Sequence, residues 1–432
     1  MNEQLEKIVG AKKDWTVIQR VCFRFAFLYF GWHIFPFPMG EIPYVGDFLN
    51  SWEDKIWVVI ANWVGRLVFG IPSISYNFNG SGDTTFNWVV EFTELMLSIL
   101  GCLVWSVVDR ARVGYARLGH WMEVYIRYYL GFTMLSYGFA KVFPLQFGTI
   151  TSYRLHEQLG DMSPMGLLWT FMAYSKSYQL FSGLAEVVAG CLLFFRKTQM
   201  LGALISVGVM LNIFILNMCY DVPVKLYSFN LMLMGIYVAN ADLKRLIGFF
   251  IQNQPTASRA FFQPFQGTKW YKWVRIAIKV IFFAYVFYGF VYKNLAENAK
   301  VEAPLAAFYG PYTVTKFVKN GVEGVDGDST RWEKLFIDRR GSYDMIYVSN
   351  EMNLRKRINF DKNDSTRTFT FTALLDTNKY VMHYSQPDSN SLIMNGVFQK
   401  DSLYLELTQM KKKDFLLVRR GFHWVNEVSF NK

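Results

Sequence analysis

The apolar residues of this chain are gathered into runs, and a run of roughly 18–23 residues is long enough, at about 1.5 Å per residue, to cross a hydrocarbon core of about 30 Å. Such runs occupy residues 15–35, 87–108, 121–143, 179–195, 198–219, 226–239 and 270–292, the sixth being short. They predict an α-helical transmembrane bundle of about seven spans. Hydrophobic residues make up 52% of the 432 and aromatic residues 18%, which points the same way. The first run is expected to remain as a helix: acids and bases are mixed ahead of it, and no small-residue cleavage pattern follows.

Basic residues in the short loops orient the spans. With Lys7, Lys12 and Lys13 inside, the loops on that side hold Arg110, Arg112, Arg117, Arg196, Lys197, Lys244, Arg245, Arg259, Lys269 and Lys272. The opposite side receives Lys55, Arg66, Arg154, Lys176 and Lys225, a bias of about thirteen to five. This predicts a bacterial inner-membrane protein with a cytoplasmic N-terminus and, after seven crossings, a periplasmic C-terminal domain. The net charge of +11 then reflects that bias meeting anionic lipid, so the bilayer is an expected partner and nucleic acid is not. The four cysteines, Cys22, Cys102, Cys191 and Cys219, all fall within runs and form no CxxC, which excludes a disulfide framework in the exported part and gives thiol-relay chemistry no support.

Composition divides the chain further. Region 1–120 holds two spans and an outer segment whose stretch 52–71, apolar and Trp-rich, reads as an interfacial helix. Region 121–240 holds four of the runs, the expected membrane core, with a loop at 144–178 long enough to imply function or ordered packing. Region 241–292 is a Pro/Gln/Phe-rich cytoplasmic linker, including "NQPTASRAFFQPFQG", followed by the last span; 293–311 is a second linker. From 312 to 432 the period becomes that of strands, as in "RTFTFTALL" and "SLYLELTQM", and an antiparallel barrel or sandwich of six to eight strands is expected. Asn395-Gly396 reads as a hairpin turn there, and 411–414 as another.

Ionisable residues inside the runs are the candidate site, because a charge at bilayer depth costs roughly 2.5–3.5 kcal/mol and normally faces a partner or a cavity. Glu186 lies mid-run, and Gly183, Glu186 and Gly190 at i, i+3, i+7 share one helix face, which aims the carboxylate at a neighbouring helix. Lys141 ends the third run at matching depth. Glu91 and Glu94 enter the second run from the same side, Asp221 and Lys225 sit at the outer turn after the fifth, and Arg24 lies about 14 Å into the first. Arg20, Arg127, Glu91 and Lys225, near helix ends, read as snorkelling or capping residues. Glu186, Glu94 and Arg24 are deeper, and form either a salt-bridge network or a functional cavity. The five histidines place no pair at one level and HExxH is absent, so no metal site is expected.

The motif "RYYLGFTMLSYGFAKVF" (127–143), with Arg127, Gly131, Gly138 and Lys141, and "GLAEVVAGCLLFFRKT" (183–198), with an acidic residue before a glycine and a basic helix end, resemble consecutive core helices of the DoxX family of membrane proteins. The resemblance covers about 120 residues. It implies a four-helix membrane bundle, some relatives of which are subunits of quinone-linked oxidoreductases, and it carries over Arg127, Lys141 and Glu186. The ending "RRGFHWVNEVSF" resembles multi-span Bacteroidetes members, and the overall plan is similar to relatives of the membrane domain of vitamin K-dependent carboxylase. The extra helices and the β domain depart from the simple pattern.

Two functions follow as expectations. In the first, Lys141 and Glu186, with Glu94 and Asp221 nearby, line an outer-half pocket for a quinone or other lipid-soluble molecule, and a redox partner subunit carries electrons. In the second, the charges lock the bundle and the protein is a non-catalytic envelope assembly protein whose β domain binds a partner or lipid. No flavin, haem or iron–sulfur motif is present, and enzymatic activity stays open. A hydrated cavity at Glu186 favours the first function, a sealed Lys–Glu pair among glycines the second.

Overall fold

A computed structural model describes residues 15–76, 80–257, 269–325, 328–340, 343–350, 355–373 and 378–431. Lys7, Lys12 and Lys13 of the basic N-terminal segment, and Arg259 with most of the Phe-rich linker, lie outside the described residues. The chain divides into two compact units, Met1–Val142 with Phe181–Val291, and Phe143–Leu180 with Tyr292–Lys432.

The helices are α1 (Val17–Ile34), α2 (Val45–Phe69), α3 (Thr85–Val108), α4 (Ala116–Val142), α5 (Ser152–His156), α6 (Pro164–Tyr174), α7 (Lys176–Leu193), α8 (Gln199–Cys219), α9 (Lys225–Asn240), α10 (Leu243–Phe250), α11 (Lys269–Val286), α12 (Lys293–Glu302) and α13 (Leu416–Arg420). Local chemistry sets their ends. The Thr16 hydroxyl accepts from the Gln19 amide while the Gln19 side chain accepts from Thr16 N, a reciprocal cap on α1. Thr84 and Asn87 repeat it on α3. Gly70, at φ 67°, ends α2 in the left-handed region where a Cβ is penalised.

The expectation of about seven spans is overturned. Every apolar run contains a helix, but among the described residues three helices are long and apolar enough to cross a membrane: Thr85–Val108, Gln199–Cys219 and Trp273–Glu302. The reason is composition within the runs. Helix α1 carries Arg20 and Arg24, α4 carries Arg117, Glu123, Arg127 and Lys141 among several tyrosines, and α7 carries Lys176 and Glu186 with Ser, Tyr and Gln. Helix α9 has 16 residues, about 24 Å, short of the hydrocarbon thickness. Conversely, α11 does not stop at Tyr292 but continues through a π-helical stretch, Phe287–Tyr292, into α12.

The second unit holds β1 (Gly310–Lys319), β2 (Val322–Glu323), β3 (Lys334–Arg340), β4 (Tyr343–Ser349), β5 (Arg355–Asn363), β6 (Thr368–Ala373), β7 (Lys379–Asp388), β8 (Ser391–Phe398) and β9 (Asp401–Gln409). Every pairing is antiparallel; β3 to β9 follow in order, and β1 pairs with both β3 and β9, closing an eight-stranded barrel that leaves no long open edge. Leu335, Ile337, Phe369, Met382, Leu392, Met394 and Leu405 are fully buried within it. Asn395-Gly396 is not a turn but lies inside β8: a Cβ on Gly396 would fall 2.6 Å from the Val381 carbonyl, so the glycine permits close backbone approach of β7. Residues 415–425 form α13 and irregular chain after the Lys412–Asp414 turn.

The loop 144–178 groups with this barrel and is ordered. Asp338 on β3 accepts from the backbone amides of Ser152 (3.0 Å) and Tyr153 (3.1 Å), satisfying the first donors of α5. Tyr153 stacks on Tyr347 at 4.3 Å, and Lys334 Nζ lies 2.6 Å from His156 Nε2.

Candidate functional site

Helices α4 and α7 approach at backbone contact because glycines meet glycines. A Cβ on Gly183 would fall 2.6 Å from the Gly138 carbonyl oxygen, and one on Gly190 would fall 3.0 Å from that of Gly131. The seven-residue spacing on both helices keeps these glycines on the facing stripes. Into this seam project Lys141 and Glu186. Lys141 Nζ donates to both carboxylate oxygens, at 2.7 and 2.9 Å, with the Tyr137 ring 5.7 Å from the ammonium. Glu186 has no exposed surface and Lys141 retains 5%. The pair is charge-balanced and sealed.

The other candidates do not join it. Arg24 is buried and spends its donors at the end of α3: Nε to the Tyr115 hydroxyl, and its two terminal nitrogens to Ser106 Oγ and the Asp109 carbonyl, each at 2.9 Å. A cation there complements the negative end of that helix. Arg127 donates to the Gln199 side-chain oxygen, and Gln199 donates at 2.7 Å to Glu123, a buried network between α4 and the start of α8. Asp221 is exposed and pairs with Lys225 at 2.9 Å. The cap on α9 comes instead from Asp83, whose carboxylate accepts from the amides of Lys225 and Leu226 at 2.7 and 3.0 Å.

Glu94 belongs to a separate cluster. His33 Nδ1, near the end of α1, is 3.1 Å from Glu94 Oε2 and 3.8 Å from Glu91 Oε2 on α3. The Tyr29 hydroxyl faces Glu91 and also Asn230 Oδ1, at 2.6 Å for the latter, while Asn230 Nδ2 donates to Glu91 Oε2 at 3.1 Å. The sequence placed Glu91 and Glu94 on one face of their run; it did not show that α1 and α3 turn His33 and these glutamates toward one another. The i, i+3 spacing of the glutamates was the available signal in the sequence.

Comparison with known proteins gives one informative likeness. Over 133 residues the chain is 36% identical to the uncharacterised protein YwoB of Bacillus subtilis, a match covering 31% of this chain and 84% of that protein. No protein-family profile matches, and no solved structure does.

Proposed function

The chain belongs to the family of YwoB, a protein itself uncharacterised, and we propose from its own geometry that it is a non-catalytic, membrane-anchored scaffold of the bacterial envelope. The helical unit anchors it and the barrel is the module that meets a partner. The observation that carries this reading is the sealed Lys141–Glu186 pair. A carboxylate with both oxygens bound by one ammonium, no exposed surface and glycine backbones on either side has no face left for a quinone or a proton path. The DoxX likeness of the same two helices fits this role, since a Gly-lined seam with an internal ion pair is a way of fixing helix register. Val381 and Val397, exposed on β7 and β8, are apolar points on the barrel's outer surface.

The test is a titration of the protein in nanodiscs with a short-chain menaquinone analogue, wild type beside Glu186→Gln and Lys141→Met. The scaffold reading expects no saturable binding. Saturable binding by wild type that disappears in both variants, with thermal stability kept, overturns it in favour of a quinone pocket. Photo-crosslinkers at Val381 and Val397 in living cells test the partner: a discrete adduct is expected, and its absence removes the barrel's assigned role.

A further inference from the structure

We propose that His33, Glu91 and Glu94 form a binding site for a divalent transition-metal cation of the Zn2+ or Mn2+ kind, clamping α1 to α3. The inference is independent of the scaffold reading. It starts from geometry: one ligand atom from each of the three residues can be chosen so that all lie within 4.8 Å of one another. Two ligands each about 2.1 Å from one metal stand about 3.0 Å apart at a right angle and about 3.4 Å apart at the tetrahedral angle. Of the separations from His33 Nδ1 to the two carboxylate oxygens, 3.1 Å falls within that range and 3.8 Å lies about 0.4 Å beyond it, within reach of a small side-chain adjustment.

Charge is the second observation. Lys141 and Glu186 balance one another, whereas here two carboxylates face one imidazole. Among the described residues His33 is the cationic partner that either glutamate has, and Arg24, nine residues earlier on α1, is committed at the far end of α3. A third carboxylate, Glu53 on α2, is near enough to act on His33 electrostatically.

Protons are the third. The Tyr29 hydroxyl carries one hydrogen yet lies between two acceptors, Glu91 and Asn230 Oδ1, and Asn230 already turns its amide nitrogen to the other Glu91 oxygen. The cluster therefore holds more acceptors than donors. A cation supplies what is missing, while Tyr29 and Asn230 orient Glu91 from behind, as outer partners of metal ligands do. The imidazole nitrogen decides the metal class, because Mg2+ and Ca2+ take oxygen ligands whereas imidazole with carboxylate suits Zn2+, Mn2+ or Fe2+. Side-chain exposures of 15% for His33 and 20% for Glu91, against none for Glu186, leave the site reachable.

The experiment is a Co2+ titration of metal-stripped full-length protein in detergent, followed by visible absorption, with Zn2+ competition. Expected are one Co2+ per chain, displacement by one equivalent of Zn2+, and at least about a 100-fold loss of affinity in His33→Gln and Glu94→Gln, against about 10–100-fold in Asn230→Ala. Asp221→Asn, at an exposed carboxylate, leaves binding unchanged. The wild-type titration needs no variant to fold, so it stands if the variants are unstable. Absence of saturable Co2+ binding by wild type overturns the proposal and leaves an extra shared proton as the cluster's counter-charge; binding unaltered by His33→Gln or Glu94→Gln in folded protein overturns it as well.

Discussion

Neutralising one member of the Lys141–Glu186 pair strands the other. In Glu186→Gln the ammonium stays between α4 and α7 with its two charge-assisted bonds, 2.7 and 2.9 Å, replaced by one neutral acceptor; in Lys141→Met a carboxylate with no exposed surface loses the ammonium that donates to both its oxygens. Leaving one charge of a buried pair uncompensated costs about 3–5 kcal/mol. The double variant Lys141→Met with Glu186→Gln removes both charges and keeps side-chain volume nearly constant, which matters in a seam where the helix backbones already touch. Its loss is expected to be no larger than that of either single variant, giving a coupling energy of at least about 3 kcal/mol. The assay is reversible unfolding in mixed micelles of rising SDS fraction, followed by tryptophan fluorescence. Additive losses in the double variant refute the pairing as the source of the cost. A Glu186→Gln variant within about 1 kcal/mol of wild type refutes the sealed environment itself, because only a solvated carboxylate is lost so cheaply.

Gly183→Ala puts a methyl 2.6 Å from the Gly138 carbonyl and is expected to destabilise the helical unit by about 1–3 kcal/mol in the same unfolding assay. Phe369→Ala, in the barrel interior where the ring is fully buried, should cost about 3–5 kcal/mol, read as earlier loss of the strand signal in circular dichroism. Burial, together with the Lys334 ammonium beside it, holds the His156 imidazole below its ordinary value. The unfolded chain therefore takes up that proton first, so stability present above about pH 6.5 is lost as pH falls toward the folded value. Melting curves between pH 7.5 and 5 should show a decline that is shallower in His156→Gln.

The depth of each charge along its helix was legible in the sequence, and its azimuth was legible only where glycines marked it. Gly183, Glu186 and Gly190 declared which face of α7 meets a helix, and Lys141 was one of several candidate partners at matching depth; Gly131 and Gly138, which complete the seam on α4, entered only through the DoxX resemblance. No such marker accompanies His33, and Glu94 was placed with the wrong cluster for that reason. Arg24 was legible as deep but not as a helix-end partner, since Tyr115 and Asp109 lie more than eighty residues away. Counting apolar runs overstated the spans because a run's length does not weigh the tyrosines, arginines and amides inside it, and several of these helices bury their polar residues against one another. In the barrel, alternation located strands, while the Asn395-Gly396 pair misled: a glycine needed for close approach within a sheet looks the same in sequence as one needed for a turn.

The contrast between the two acidic clusters bears on what buried charges in this chain are for. Glu186 meets a full counter-charge that donates to both its oxygens, between two glycine backbones, so nothing further is required of its surroundings. Glu91 and Glu94 meet one imidazole, a phenol with a single proton and an amide turned to give one donor, and Glu91 keeps some exposure. The first arrangement specifies how α4 and α7 pack and loses its purpose if opened. The second has a deficit of positive charge that folding alone does not repair, and closing it takes something from outside the chain. Stability should accordingly respond to added Zn2+ through α1 and α3 and be indifferent to it in Glu94→Gln, whereas the Lys141–Glu186 seam should be blind to metal in every variant; a melting temperature of wild type that Zn2+ leaves unmoved would place both clusters in the same, purely structural class.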